Sequence, residues 1–459
     1  MKVHFMGGVD TVTGSRHLVE SNGARVLCDC GLFQGHRKEA REINSRFPFD
    51  PASLTAAVVS HAHIDHCGNL PTLVRGGFRG PIHATSATTD LCGIMLRDAA
   101  HIQEQDAAYL NQKTNRKGLE PVEPFFTVKD AEQTLALFRS HRYGEDIGLA
   151  PGLAVRFADA GHILGAAIVV FTAASNGRAA RLAFAVDLGR EDLPLIRDPQ
   201  PVADIDVLVI ESTYGDRLHD AAARADDQIA DIVSRTIGRG GKVLIPSFVL
   251  ERAQEVIYHL HGLIRDGRIA RVPVYVDSPM ADAVAAAFEK NHEYLDPEFK
   301  TRGHITGVMR PPWLRYVGSV EESKSVTSSR DPCIVIAGSG MCEHGRILHH
   351  LKHGIEDPRN TIAFVGFQAG STLGRRLVDG ETKVRIFGDW FERQAEVVQL
   401  NAFSAHADKD ELVAYVERVR PKRVYLVHGE PDQRRALAET LKARGFDVYQ
   451  PLKGNVAAI

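Results

Sequence analysis

The sequence predicts an α/β protein made of two units, and three observations carry that prediction. The chain has 459 residues, which is more than one hydrophobic core usually supports. Short runs of β-branched residues bounded by turns dominate the part before Tyr214. After Tyr214, segments with strand character alternate with segments of helical periodicity, which is typical of a mainly parallel sheet flanked by helices.

The segments of the first unit are short and apolar. Its predicted strands are KVHF, HLVES, ARVLCD, AAVVS, AVRFA, AAIVVFTA, RLAFAVD and DVLVIES. Between Ala87 and Gly144 the pattern becomes helical, since TDLCGIMLRDAAHIQEQDAAYL carries apolar residues at helical spacing. We therefore expect sheets in this unit with a helical segment between two groups of strands.

The second unit shows regular strand–helix alternation. KVLIP precedes VLERAQEVIYHLHGLI, PVYVD precedes MADAVAAAFEK, and CIVIAG precedes EHGRILHHLKH. After Lys383 the strand-like runs KVRIF, VVQLNAF and RVYLVHG follow. No Gly/Ser-rich linker separates the units, which favours an insertion of the second unit into the first.

Composition excludes several classes of protein. Hydrophobic residues make up 44% and charged residues 25%, as in ordinary globular proteins. No apolar run approaches the ~20 residues that span a bilayer, and the N-terminus lacks a signal-peptide pattern, so we expect a cytoplasmic protein without a membrane partner. The six cysteines include no CxxC pair, which predicts reduced thiols. A net charge of −3 predicts no general nucleic-acid surface, so a polyanion needs local charge or a metal.

The loop SHAHIDHCGN points to a metal site. The strand AAVVS runs directly into it, and His61 and His63 lie two positions apart, on one side of an extended segment. Asp65 and His66 follow where the chain must turn. Imidazole and carboxylate donors together suit zinc, manganese or iron. The alternative is a surface loop that happens to be rich in histidine, which this spacing makes improbable.

Further candidate ligands stand at the ends of other predicted strands. His162 lies in the Gly-flanked turn DAGHILGAA, Asp187 ends the strand in FAVDLGR, and His428 ends the strand in VYLVHGE. One such residue alone is more often structural. Three at equivalent places favour a shared site at one edge of the sheets.

These seven residues resemble the ordered ligand set of the metallo-β-lactamase superfamily. The resemblance implies an αββα sandwich that binds two Zn²⁺ ions, with Mn²⁺ as an alternative. It assigns His61, His63 and His162 to one ion and Asp65, His66 and His428 to the other. Asp187 and a hydroxide then bridge the ions, and Asp29 of VLCDCGLFQG corresponds to an aspartate that orients the ligands.

Further motifs resemble the β-CASP group of RNA-processing nucleases within that superfamily. Glu211 lies in VLVIESTYGDR, His406 in NAFSAHADKDEL and His428 in VYLVHGE, at the places of the group's A, B and C motifs. TVTGSRHLVE, IPSFVLERAQE, PVYVDSPMA, AGSGM and GFQAGSTLGRRL match as well, although Glu251 replaces a glycine frequent in relatives. The implied domains are a metallo-β-lactamase domain over 1–212 and 384–459, with a β-CASP domain inserted over 213–383.

The resemblance implies a zinc-dependent ribonuclease that hydrolyses single-stranded RNA in RNA processing or decay. Endonuclease and 5′–3′ exonuclease action both stay open, and so does a homodimer. Asp65, Glu211 and His406 are the implied catalytic residues, with His406 as proton donor to the leaving oxygen and Glu211 orienting it. A histidine at position 428 favours RNA over DNA by family trend.

Two Gly-Ser turns and one serine are candidate RNA-phosphate contacts. AGSGM offers Ser339 and Gly340, and GSTLGRR offers Ser371, Thr372 and Arg375, because free backbone amides and hydroxyls suit phosphate. Ser404, next to His406 in FSAHAD, resembles a phosphate-contacting residue of the family. The alternative is that these are simply turns.

Two other functions share parts of this pattern. A small-ester hydrolase, such as a glyoxalase II or a lactamase-like enzyme, uses the same metal ligands but does not require the insertion between Tyr214 and Lys383. A non-catalytic RNA-binding scaffold fits the insertion, but such relatives have lost ligands that this chain keeps.

Overall fold

The computed structural model describes residues 1–114, 121–175, 178–219, 225–297, 299, 305–366, 368, 370, 372–400 and 403–459. Its contacts divide the chain into two compact units. Unit 1 comprises Met1–Glu191, Asp198–Leu218 and His406–Ile459, and unit 2 comprises Asp192–Arg197 and His219–Ala405.

The strands are short and are numbered here in chain order. They are β1 (Lys2–Gly7), β2 (Arg16–Ser21), β3 (Ala24–Cys28), β4 (Ala56–Val58), β5 (Ile82–Thr85), β6 (Phe138–His141), β7 (Asp146–Ala150), β8 (Leu153–Asp159), β9 (Ala167–Ser175), β10 (Arg178–Ala185), β11 (Val207–Ile210), β12 (Val243–Pro246), β13 (Val274–Asp277), β14 (Leu314–Val317), β15 (Ile334–Ala337), β16 (Thr361–Phe364), β17 (Lys383–Ile386), β18 (Asp389–Glu392), β19 (Glu396–Gln399), β20 (Arg423–Leu426), β21 (Val448–Tyr449) and β22 (Val456–Ala458).

The α-helices are numbered in the same way, and short 3₁₀ turns lie at Pro51–Ser53 and His292–Tyr294. They are α1 (Arg37–Ser45), α2 (Ile64–Cys67), α3 (Leu70–Arg75), α4 (Ser86–Thr114), α5 (Val128–Leu135), α6 (Ala225–Gly238), α7 (Arg252–Arg265), α8 (Ala281–Lys290), α9 (Ile305–Met309), α10 (Val320–Ser328), α11 (Ile347–Gly354), α12 (Leu373–Val378), α13 (Lys409–Val419) and α14 (Pro431–Ala443).

Unit 1 is a sandwich of two seven-stranded sheets. Their orders are β22-β1-β2-β3-β4-β5-β6 and β21-β20-β11-β10-β9-β8-β7. One apolar core joins residues of both sheets, such as Phe5 and Val26 from the first and Phe171 and Phe184 from the second. Helix α4 packs on β5 and β6, and α14 packs on β21, which gives the α–β–β–α layering.

Unit 2 contains a six-stranded parallel sheet in the order β14-β13-β15-β12-β16-β19. A core on one face includes residues of α6, α7 and α8, and a core on the other includes residues of α11 and α12. The strands β17 and β18 form a separate antiparallel hairpin. The prediction of an α/β fold with a mainly parallel second sheet is confirmed.

The division into units differs from the predicted domain segments. The sequence predicts that the insertion ends at 383 and that 384–459 belong to the first domain. In the structure β19 (Glu396–Gln399) pairs in parallel with β16 and completes the sheet of unit 2, so that unit extends to Ala405. Its first long segment begins at His219 instead of 213.

The cysteines and the helices bear on two predictions from composition, which are reduced thiols and the absence of a membrane-spanning segment. All six cysteines are buried, and none of them forms a disulfide. Among the residues described, none of the helices combines the length and the apolar character needed to cross a membrane.

Candidate metal centre

The loop after β4 holds the first group of predicted ligands in unit 1. Asp65 is the second residue of α2, which begins at Ile64, and the loop is tied to the chain near Gly31. The backbone amides of Ser15 and Leu32 donate to the carbonyls of Asp65 and Ile64 over 2.8 and 2.9 Å. A Cβ on Gly31 would lie 1.5 Å from the carbonyl oxygen of Asp65, so only glycine permits this approach.

Two of the predicted ligand histidines lie beside one oxygen of Asp187, and a third lies against both of them. His61 Nε2 and His162 Nε2 each lie 3.3 Å from Asp187 Oδ2. His63 Nδ1 lies 3.1 Å from His61 Nε2 and 3.2 Å from His162 Nε2. These four side chains form one compact set of donor atoms.

Two of the remaining predicted ligands, His66 and His428, lie beside the other oxygen of Asp187. His66 Nε2 lies 3.3 Å from Asp187 Oδ1, 3.3 Å from His428 Nε2 and 3.7 Å from Asp65 Oδ2. His428 Nε2 lies 3.5 Å from Asp65 Oδ2. Asp65, His66 and His428 form a second compact set, and Asp187 adjoins both sets through its two oxygens.

The spacing of these atoms suits bound cations. A tetrahedral ion with bonds of about 2.0–2.1 Å separates its donor atoms by about 3.3–3.4 Å, close to the distances observed here. Asp187 Oδ1 is buried and has no hydrogen-bond partner among the described residues. A buried carboxylate oxygen surrounded by imidazole nitrogens requires positive charge, which a metal supplies. The chemistry and spacing of the donor set therefore fit a metal.

Burial and neighbouring charges shift the pKa values of the ligands. Burial lowers the pKa of His63 to about 3, with the charge of His61 acting in the same direction, which leaves the ring neutral and able to bind a cation. Burial also lowers the pKa of His162 well below its ordinary value. For Asp187 burial acts to raise the pKa, but His428 and His66 outweigh it and hold the carboxylate ionised.

Asp29 is hydrogen-bonded to one of the donor residues, His66. Its Oδ2 accepts a hydrogen bond of 2.8 Å from His66 Nδ1, which directs His66 Nε2 towards the second donor set. The amide and hydroxyl of Ser60 donate to the two carboxylate oxygens of Asp29, each over 2.8 Å. Asp29 is 1% exposed, so this arrangement is held rigidly.

Two supporting hydroxyl groups were missed by the sequence interpretation. Ser60 Oγ lies 3.0 Å from His61 Nδ1 and links that ligand to Asp29. Thr213 Oγ1 donates to the carbonyl oxygen of His428 over 3.2 Å and lies 3.5 Å from its Nδ1. Ser60 adjoins the histidine loop and Thr213 follows Glu211 by two positions, so proximity to a motif was the available signal.

His406 and Glu211 form a hydrogen-bonded pair beside the ligands. His406 Nδ1 lies 3.1 Å from each carboxylate oxygen of Glu211, and Glu211 Oε1 also accepts from the amide of Leu188 over 2.6 Å. Burial acts to lower the pKa of His406, but the adjacent Glu211, with Asp187, raises it to about 9. The side chain of His406 is 24% exposed, whereas that of Glu211 is fully buried. His406 can therefore hold a proton on a partly exposed ring.

The predicted phosphate contacts lie in unit 2. Ser404 is buried, and Ser371 lies outside the described residues. Ser339 Oγ accepts from the amides of Glu343 and His344 over 3.1 and 3.4 Å, so it closes its own turn. The structure gives Gly340 a packing contact, because a Cβ there would lie 3.0 Å from the ring of Phe248.

The donors of the second Gly-Ser turn are already engaged. Thr372 Oγ1 accepts from the amide of Arg375 over 3.1 Å, and Glu343 Oε1 accepts from the amide of Leu373 over 2.6 Å. The guanidinium of Arg375 pairs with Asp379 over 2.6 Å. A phosphate would have to displace Asp379 from Arg375 and Glu343 from the amide of Leu373, which weakens the predicted phosphate role of Arg375 and of this turn.

Family models match three parts of the chain. Residues 11–100 match the metallo-beta-lactamase superfamily, and residues 253–377 match the Beta-Casp domain. Residues 390–451 match a domain described as a Zn-dependent metallo-hydrolase RNA specificity domain.

Several known proteins are similar over nearly the whole chain. A ribonuclease of Thermus thermophilus is 39% identical over 98% of this chain and 97% of that protein. An RNase J-like protein of Methanocaldococcus jannaschii is 30% identical over 99% of both chains. The transcription termination factor FttA of the same organism is 31% identical over 96% of this chain and 69% of its own length.

A crystal structure of a protein of unknown function from Enterococcus faecalis V583 has the same fold. It superposes with a TM-score of 0.55 at 12% sequence identity, over 100% of this chain and 99% of that one. The ligand geometry, the matched domains and the full-length relatives agree. The chain therefore belongs to the β-CASP group of the metallo-β-lactamase superfamily, and it is a metal-dependent hydrolase.

Proposed function

We propose that this protein is a zinc-dependent ribonuclease that hydrolyses phosphodiester bonds of single-stranded RNA, as an endonuclease, a 5′–3′ exonuclease or both. The observation that carries the proposal is the pair of donor sets joined by the two oxygens of Asp187, with His406 beside them. Hydrolysis of a phosphodiester needs a nucleophile at neutral pH, charge stabilisation and a proton for the leaving oxygen.

The proposed holders of the metal are the seven donor residues. His61, His63 and His162 would hold one Zn²⁺, Asp65, His66 and His428 would hold a second, and Asp187 would contact both. Two such ions lower the pKa of a bound water to about 7 and stabilise charge on a phosphate. Mn²⁺ is an alternative, since imidazole and carboxylate donors suit both metals.

His406 is the proposed proton donor to the leaving oxygen. Glu211 holds the Nδ1 side of the ring over 3.1 Å, which leaves the Nε2 side for the substrate. With its pKa raised to about 9, the ring is protonated at neutral pH and can give that proton to a developing alkoxide. Glu211 is the positioning residue, because its carboxylate fixes both the orientation and the protonation of the ring.

RNA is the proposed substrate because of two lines of support. A full-length relative carries the name ribonuclease, and residues 390–451 match the RNA specificity domain. We keep Ser404, Ser339 and Gly340 as proposed phosphate contacts, with Thr372 and Arg375 less favoured by their existing partners. RNA processing or decay is the corresponding role.

The alternatives are less well supported. A glyoxalase II or lactamase-like hydrolase of small esters shares the ligand set, but hydrolysis of a small ester does not require unit 2. A non-catalytic RNA-binding scaffold does not require the hydrogen-bonded pair of Glu211 and His406 or a complete set of donor residues.

The test is cleavage of 5′-end-labelled and 3′-end-labelled single-stranded RNA by the metal-loaded protein, with a DNA oligonucleotide for comparison. We expect His63→Ala to lose bound metal and cleavage together, because His63 contacts two other ligands of its set. His353→Ala is the matched control, since this exposed histidine lies outside the donor sets and should keep both properties. Unchanged cleavage by His63→Ala would contradict the assignment, and product lengths separate the two modes of cleavage.

A further inference from the structure

The parallel sheet of unit 2 has a change of direction between two neighbouring strands. Helix α7 connects β12 to β13, and α11 connects β15 to β16, while β12 and β15 are adjacent. Val243 and Ile245 of β12 belong to the core that contains α7, whereas Leu244 belongs to the core that contains α11. The two helices therefore cover opposite faces of the sheet. In open α/β sheets, ligands bind at the carboxyl ends of such a strand pair.

Phe248 stands at this place. It follows the carboxyl end of β12 by two residues, and 52% of its surface is exposed. Its neighbour is Gly340, which follows the carboxyl end of β15. A Cβ on Gly340 would lie 3.0 Å from both Cδ2 and Cε2 of Phe248, so the ring rests against the bare backbone of this glycine.

The support under the ring is built from three adjacent strands. Gln368, which follows β16, is 3% exposed, and its Nε2 donates to the carbonyl oxygen of Gly340 over 3.0 Å. Ser247 Oγ donates to the carbonyl oxygen of Phe248 over 2.8 Å. Since β12 lies between β15 and β16, loops from all three strands hold the ring in one place.

We propose that Phe248 is a stacking platform for one unpaired base of the RNA substrate. The proposal rests on the proposed function for the class of substrate, and it adds a subsite that recognises a base in place of a phosphate. A single exposed phenylalanine is ordinary on a protein surface. An exposed ring seated on a glycine that is itself fixed by a buried amide, at the ligand-binding edge of the sheet, is preorganised for stacking.

A phenylalanine platform has defined chemical consequences. Every base has a π-face, so stacking on Phe248 selects for an unpaired nucleotide and not for one particular base. A base held in a duplex stacks on its neighbours and is not available to the ring. Phe248 thus favours single-stranded over double-stranded RNA at one nucleotide position.

The test uses the metal-loaded protein and fluorescently labelled oligoribonucleotides with hydrolysis-resistant phosphorothioate linkages. One series of oligonucleotides carries a single abasic position, moved along the chain one nucleotide at a time. Phe248→Leu keeps an apolar side chain without a ring, and Phe248→Trp keeps a ring. Phe387→Leu is the matched control, because Phe387 is 54% exposed in the same unit but lies on the hairpin between β17 and β18.

We expect Phe248→Leu to weaken binding about tenfold and Phe248→Trp to retain it, which corresponds to the loss of one stacked base. One abasic position should weaken wild-type binding by a similar factor and have no further effect in Phe248→Leu. Equal affinities for Phe248→Leu and Phe387→Leu, or an abasic effect that persists in Phe248→Leu, would overturn the inference. If the wild type nevertheless cleaves ordinary RNA, the stacking role of Phe248 is refuted but the proposed ribonuclease function is retained. If the wild type neither binds nor cleaves RNA, both proposals are refuted.

Discussion

At the scale of single residues, Asp29 and Glu211 each orient a histidine by binding its Nδ1 atom. Asp29 binds Nδ1 of His66 over 2.8 Å, and Glu211 binds Nδ1 of His406 over 3.1 Å. Each buried carboxylate fixes the tautomer and direction of a ring whose other nitrogen faces the site. The two rings differ in the surroundings of Nε2. Nε2 of His66 belongs to the second donor set, whereas Nε2 of His406 lies on the partly exposed side of the site.

The pair of Glu211 and His406 predicts a particular pH dependence. His406 donates a proton in the proposed mechanism, so the rate should fall as the pH rises through its pKa of about 9. Glu211→Gln removes the carboxylate that raises this pKa, and the decline should then begin at lower pH. The pH–rate profile of RNA cleavage measures the effect.

A control variant separates this effect from a general loss of charge. Glu417→Gln removes an exposed carboxylate that pairs with Arg444, and its profile should match the wild type. Metal content should be the same in all three proteins. An alkaline limb that stays in place in Glu211→Gln would refute the role of His406 as the acid.

The residue scale also shows what the sequence can and cannot predict. The seven donors were identifiable because each stands in a short motif at a strand end. Ser60 and Thr213 could not be predicted in the same way, because no sequence motif marks a hydroxyl group that contacts a donor residue. The partner of the amide of Leu373 was equally hidden, because Glu343 comes from a distant turn.

At the scale of elements, close backbone contact positions the histidine loop. The segments near Ser15, Gly31 and Asp65 are joined by four backbone hydrogen bonds of 2.8–2.9 Å. The donors are the amides of Ser15, Cys30, Gly31 and Leu32. This packing leaves no room for a side chain at Gly31. The position of the histidine loop therefore depends on Gly31, which is not itself a donor residue.

Gly31→Ala should displace the loop. Its methyl group would lie 1.5 Å from the carbonyl oxygen of Asp65, so we expect a lower melting temperature and a loss of bound metal. Thermal unfolding and metal analysis measure both. Gly148→Ala is the control, because a Cβ there meets nothing within 4 Å. Equal metal content in Gly31→Ala and the wild type would argue against the role given to this contact.

The end of the insertion illustrates a limit at the element scale. The sequence predicts that VVQLN forms a strand, but it does not show which strand pairs with this segment. Pairing of β19 with β16 moves residues 384–405 into unit 2, and such long-range pairing follows from packing rather than from local pattern.

At the scale of the whole molecule, the site joins distant parts of the chain. His66 and His428 are 362 positions apart, yet their Nε2 atoms lie 3.3 Å from each other. Unit 2 interrupts unit 1 between Leu218 and His406. Six donor residues, from His61 to Asp187, therefore precede this segment, whereas His406 and His428 follow it. The α/β class was predictable from periodicity, and a shared site was predictable from the strand-end positions of His162, Asp187 and His428. The division of the donors into two sets was implied only by the resemblance to a family.

We propose that the two donor sets bind metal ions and that these ions drive RNA hydrolysis. The most direct measurement is a titration of chelator-treated protein with Zn²⁺, in which bound metal and cleavage of labelled single-stranded RNA are followed together. We expect no cleavage without metal and a plateau of activity when both donor sets are filled, at two ions per chain. Full activity of the metal-free protein, or intact RNA after both sets are filled, would contradict it.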